Sequence, residues 1–176
     1  MDDADLVARA RAGDAGAFEE LIHRHHAACL RYAAHVLGDR TEAEDVVQDT
    51  WVRAYRSLGR YEERRQFRPW LFRILVNRCR TRFGFRSRWR PSAECGEPVV
   101  SDGTVIHELR SRLVRAMAGL DGRLREAFVL KFGEDLTYEE IARVTGASVP
   151  ALKMRVKRAR EQVRARWEEL ESDGRS

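Results

Sequence analysis

Seven cations and one carboxylate fall between Lys153 and Arg166, and a second block, residues 60–90, sets eleven arginines against Glu62 and Glu63. Lys and Arg at that density suit one task above others: neutralising a polyanion, phosphate by phosphate, through charge-assisted hydrogen bonds. The rest of the chain is net acidic, so these blocks are local features and not an echo of the overall charge of +5. Two separate contacts on nucleic acid are the reading they favour, with solvated helix faces as the alternative. His23 to Cys29, HRHHAAC, is the other cluster with ligand chemistry. On a helix only His25 and His26 share a face with Cys29, short of the four donors of a zinc site, so no metal is expected. The sequence has no Gly-rich phosphate loop, no HExxH and no local motif of a Ser-His-Asp arrangement. An enzyme, a cofactor and a small-molecule substrate are therefore not expected.

The elements that must hold these residues are helices. Strand signals are nearly absent, and the chain reads as all-α: two small helical domains joined by a flexible linker, the second with a helix-turn-helix. Asp14 is placed to cap a helix that carries Phe18, Leu21, Ile22, Cys29, Val36 and Leu37 inward and ends at Gly38. Thr41-x-x-Glu44 is expected to cap a second helix with Val47, Trp51, Ala54 and Leu58 as its buried stripe. A third starts near Arg68-Pro69, with Leu71, Ile74 and Leu75 inside. From Gly84 to Gly103 prolines, glycines and serines interrupt any helical period, which marks a linker. The boundaries expected are a first domain at 1–83, the linker at 84–104, a second domain at 105–170 and a tail at 171–176. Ile106, Leu109, Leu113 and Met117 open the second domain at helical spacing.

Pro150 looks out of place beside a basic helix until its neighbours are read. Leu136-Thr137-x-x-Glu140-Ile141 combines a capping box with a hydrophobic staple, and that helix stops at Gly146. Ser148 can cap the next helix, which makes Pro150 its second residue, where no intrahelical hydrogen bond is lost. Helix, tight turn, helix is the pattern that seats a helix in the DNA major groove. Leu152, Val156, Ala159 and Val163 share the inner face; Met154, Lys157 and Arg158 point away, flanked by Lys153, Arg155 and Arg160.

Three stretches in order, AEDVVQDTWVRAY (43–55), FRPWLFRILVNRCR (67–80) and LTYEEIARVTGASVPALKMRVKRAR (136–160), make the chain resemble an extracytoplasmic-function sigma factor of bacterial RNA polymerase. The resemblance implies that the first domain binds the polymerase clamp and the minus-ten promoter element, and that the second binds the flap and reads the minus-thirty-five element. It implies core-polymerase docking by Glu44, Asp45, Gln48 and Asp49. It assigns the minus-ten element to Tyr61, Arg64, Arg65, Arg68, Trp70, Phe72, Arg73 and Asn77, with aromatic rings to stack bases and the Asn77 amide to contact one. Tyr61 and Asn77 are expected to close a small pocket. The minus-thirty-five element falls to Ser148, Lys153, Met154, Arg155, Lys157 and Arg158. Pro150-Ala151 replaces the Gly-Thr pair common in the family, and Met154 stands where a small polar residue is usual; Met can contact a thymine methyl but donates no hydrogen bond.

The implied partners are core RNA polymerase, promoter DNA and an anti-sigma factor, with a membrane-bound one among the options. Cys29, Cys79 and Cys95 show no CxxC pairing, which fits a reducing compartment. There is no apolar signal core at the N-terminus, and a cytoplasmic protein is the expectation. The competing class is a self-sufficient helix-turn-helix regulator that binds duplex operator without polymerase.

Overall fold

The computed structural model describes residues 1–62, 66–83 and 104–173, and among these every regular element is helical. The first unit packs four helices: α1 (Asp3–Arg11), α2 (Ala15–Leu37), α3 (Arg40–Ser57) and α4 (Phe67–Phe83). The second packs α5 (Thr104–Met117), α6 (Gly122–Phe128), α7 (Tyr138–Thr145) and α8 (Val149–Asp173).

Local chemistry sets most of the boundaries. Asp14 caps α2 by accepting from the Ala17 N–H at 3.1 Å, and Gly38 ends it in the left-handed region at φ 75°. α3 begins earlier than Thr41-x-x-Glu44 suggests. Asp39 is its cap, accepting from the Glu42 N–H at 2.9 Å, and Thr41 lies inside the first turn. Asp is a stronger cap than Thr, and it comes first along the chain. α1 is an element the sequence reading passed over; a capping box from Asp2 to Asp5 starts it, and Leu6, Val7 and Ala10 bury it against α2.

The buried stripe of α3 is the expected one, Val47, Trp51, Ala54 and Leu58, widened by Ala43, Val46 and Thr50. α4 is more enclosed than its period implied. Leu71 and Leu75 are buried as expected and Ile74 is half-buried, but Phe72, Val76 and Cys79 are buried as well. The reason is that α4 is packed by α2 and α3 on one side and by α7 of the second unit on another. In α5, Met117 is buried and Leu113 packs on the core, whereas Leu109 is exposed; the Ile106 side chain lies outside the described residues.

The two units also touch where α6 and the turn after it reach α2. Cys29 and Cys79 are buried thiols. Burial, with Glu134 as a secondary influence, pushes the Cys29 thiol up to about 12, and burial together with Glu126 pushes Cys79 up as well. Both first-unit thiols therefore feel carboxylates of the second unit.

Candidate nucleic-acid interface

The helix-turn-helix is built as its sequence dictates. Thr137 and Glu140 exchange capping hydrogen bonds, Glu140 N–H to Thr137 Oγ1 at 3.2 Å and Thr137 N–H to Glu140 Oε2 at 2.8 Å. Leu136 and Ile141 are both buried, as a staple requires. Gly146 takes φ 75°, and Ser148 accepts from the Ala151 N–H at 3.4 Å, so Pro150 sits in the first turn of α8. Leu152, Val156, Ala159 and Val163 are buried against the unit, which turns Lys153, Met154, Lys157, Arg158 and Arg160 to solvent and leaves Arg155 half-buried. Lys153 lies over the Tyr138 ring at 5.8 Å, a contact that leans its ammonium toward α7. Lys157 and Arg158 make no ion pair among the described residues, so their charge is uncommitted.

On α4 the expected constellation divides. Asn77 is exposed and lines an open groove with Asp49, Arg53, Arg56, Arg60 and Arg78. An amide set among arginines can offer both donor and acceptor to a base while the cations hold the backbone. Tyr61 is not part of that groove. It is 5% exposed, with its ring 5.2 Å from Trp70 and 6.2 Å from Phe67, so the expected pocket between Tyr61 and Asn77 does not form. Phe72 is fully buried, edge-on to Tyr32 at 5.7 Å. Both rings therefore serve the core, and neither offers a face to a base. Trp70 is half-buried and borders a smaller cleft with Gln66, Pro69, Arg73 and Arg143. Arg68 is turned to Glu134 of the second unit at 3.0 Å, away from the groove. Arg64 and Arg65 lie outside the described residues.

The outer face of α3 carries Glu44, Asp45 and Gln48 exposed and Asp49 half-buried. Glu44 pairs with Arg40, Asp45 with Arg82, and Asp49 with Arg53 and Arg78. Sequence reasoning missed two members of this face. Val52 is 43% and Tyr55 61% exposed, one and two turns beyond Gln48. Their absence from the 47-51-54-58 stripe was the available signal. The face is thus an apolar patch rimmed by carboxylates, a form typical of protein contacts. In the HRHHAAC stretch, His25 Nε2 lies 2.7 Å from the Asp3 carboxylate beside the Phe67 ring, and His23 and His26 are exposed.

Two family models match the two helical units in chain order. The family model "Sigma-70 region 2" matches residues 7–90 and "Sigma-70, region 4" matches residues 110–163. The ECF RNA polymerase sigma-E factor of Escherichia coli is 31% identical over 93% of each chain. RNA polymerase sigma factor CnrH of Cupriavidus metallidurans is 35% identical over 93% of this chain and 94% of its own. The chain belongs to the extracytoplasmic-function sigma factors. This sigma factor also matches the structure of CnrH in complex with the cytosolic domain of CnrY, with a TM-score of 0.75 and 32% identity, over 97% of this chain and 98% of that one. Its role is promoter-directed initiation of transcription by RNA polymerase. No helix among the described residues is long and apolar enough to cross a membrane.

Proposed function

We propose that this sigma factor divides promoter recognition between its two units. α8 enters the major groove of the minus-thirty-five element and reads it through Ser148, Lys153, Met154, Arg155, Lys157 and Arg158. The groove around Asn77 takes the opened minus-ten strand, with Arg64, Arg65, Arg68 and Arg73 serving its phosphates and Trp70 as the stacking aromatic. The α3 face docks on core polymerase through Glu44, Asp45, Gln48 and Asp49, with Val52 and Tyr55 supplying apolar area. An anti-sigma factor covers these surfaces until it is released; CnrH, bound by the cytosolic domain of CnrY, supports a partner of the same kind here, including one tethered to a membrane.

One observation carries the reading. Lys153, Met154, Lys157 and Arg158 are exposed along one stretch of α8 while the opposite face is locked into the core, so the cations are presented and not merely present. The test is promoter binding with and without core polymerase. The parent should bind only with core. Lys157→Ala and Arg158→Ala should each weaken binding and reduce the salt slope by about one. Tight duplex binding without core would instead identify a self-sufficient regulator.

A further inference from the structure

Glu134 follows the last turn after α6, yet its side chain has no exposed surface. A carboxylate so enclosed must be paired, and its partners come from the other unit. Arg31 of α2 grips it with a two-pronged fork, Nε to Oε1 at 3.1 Å and Nη2 to Oε2 at 3.0 Å. Arg68, in the first turn of α4, donates Nη2 to Oε2 at 3.0 Å and to the Glu134 carbonyl at 2.9 Å. Near the far end of α4 the pattern repeats. Arg80 forks onto Glu126 at 2.9 and 2.7 Å and reaches the Thr145 carbonyl at 3.2 Å. Arg68 and Arg80 stand about 18 Å apart along the helix, so two charged attachments fix how the second unit lies on the first.

Burial is uneven across these pairs. The Glu134 side chain is sealed and that of Glu126 is 8% exposed, while Arg31, Arg68 and Arg80 remain 49%, 35% and 43% exposed. An incoming anion can therefore reach the guanidinium groups without first reaching the carboxylates. The backbone that presents Glu134 is also distorted. It leaves a π-helical turn, Val129–Gly133, and continues into Asp135 at φ 52°, a region that non-glycine residues seldom occupy.

We propose that Glu134 and Glu126 are built-in stand-ins for phosphate, an autoinhibitory clasp that holds the free chain closed and keeps Arg68 from DNA. Nucleic-acid phosphates compete with the two carboxylates for the same guanidinium groups, and occupation by one excludes the other. The masking rests on the reading of Arg68 as a minus-ten contact; the closure does not.

The experiment compares the full-length chain with Glu126→Gln/Glu134→Gln, changes that keep size and remove charge. Without DNA, small-angle scattering should show a larger radius of gyration. Hydrogen exchange should quicken in residues 28–34 and 123–130 while α3 stays as slow as in the parent. Should the double variant unfold, shown by fast exchange in α3, the single variant Arg31→Gln takes its place with the same expectation. Parental radius and exchange in a folded variant overturn the clasp. A labelled mixed-sequence single-stranded oligodeoxynucleotide, without polymerase, should bind the opened variant about tenfold more tightly, the gain from removing a closed state populated at about 90%. Adding Arg68→Ala should abolish that gain. Opening without tighter binding overturns the masking. Arg68→Ala in the holoenzyme reads the underlying assumption separately: parental promoter affinity and melting would remove the DNA role of Arg68 whether or not the chain opens.

Discussion

The Tyr32 hydroxyl is buried with no hydrogen-bond partner among the described residues, under the second unit and within the influence of Glu126 and Glu134. An unsatisfied hydroxyl costs about 1–3 kcal/mol. Tyr32→Phe keeps the edge-on contact with Phe72 and should raise the melting temperature by a few degrees, about 2–4 °C per kcal/mol at this chain length, read by thermal denaturation. Asn77 poses the opposite case, an exposed amide whose side chain makes no hydrogen bond among the described residues. Asn77→Ala should leave melting temperature and core-polymerase affinity at parental values and slow promoter opening, followed by permanganate reactivity of the melted strand; parental opening would exclude it from base contact. At this scale the sequence was legible where a face was clean. The exposed cations of α8 and the buried stripe of α3 followed directly from their period. The burial of Tyr61 and Phe72 was not legible, because an aromatic in a cation-rich stretch looks the same whether it stacks on a base or packs against Trp70 or Tyr32. Glu134 was not legible at all, since its arginine partners lie 103 and 66 residues away in the chain.

Among the elements, the turn between α7 and α8 depends on a residue in the left-handed region. Gly146 sits at φ 75°, where a Cβ would meet open space, so the penalty of a side chain there is conformational and not steric crowding by neighbours. Gly146→Ala should destabilise the chain by about 1 kcal/mol, seen in urea unfolding, and should weaken minus-thirty-five binding by more than its stability loss implies, because α8 is re-aimed. The far half of α8 is anchored differently. Arg112 of α5 stacks on Trp167 at 5.3 Å and pairs with Glu171 at 3.3 Å. Trp167 is about 20 Å along the helix from Met154. Trp167→Ala should therefore lower promoter affinity in a shift assay without changing the salt slope, since no phosphate contact is removed. The Thr137 and Asp14 caps and the Gly38 and Gly146 stops were readable because capping is a local transaction between residues a few positions apart. α4 was harder: with helices against more than one of its sides, it has no clean polar face for periodicity to find.

For the molecule as a whole, the packing of the second unit on α2 and α4 can be set against a ruler made of DNA. Promoter elements centred about 25 base pairs apart lie some 85 Å from one another, at about 3.4 Å per base pair. A single compact body of this chain length has a radius of gyration of only about 16 Å. On the proposed division of promoter contacts, the packed arrangement is thus too short to lay α8 and the Asn77 groove on both elements at once. Twenty residues separate Phe83 from Thr104. Fully extended they reach roughly 70 Å, which together with the width of each unit covers the span with little to spare. Removing six of residues 84–103 should leave the free chain's melting temperature unchanged but shift the best spacer between the elements toward shorter lengths, measured by transcription from promoters of graded spacing. An unchanged optimum would mean that polymerase, and not the length of chain between the units, sets the distance. On this geometry promoter spacing becomes a gauge of how far the second unit must part from α2 and α4.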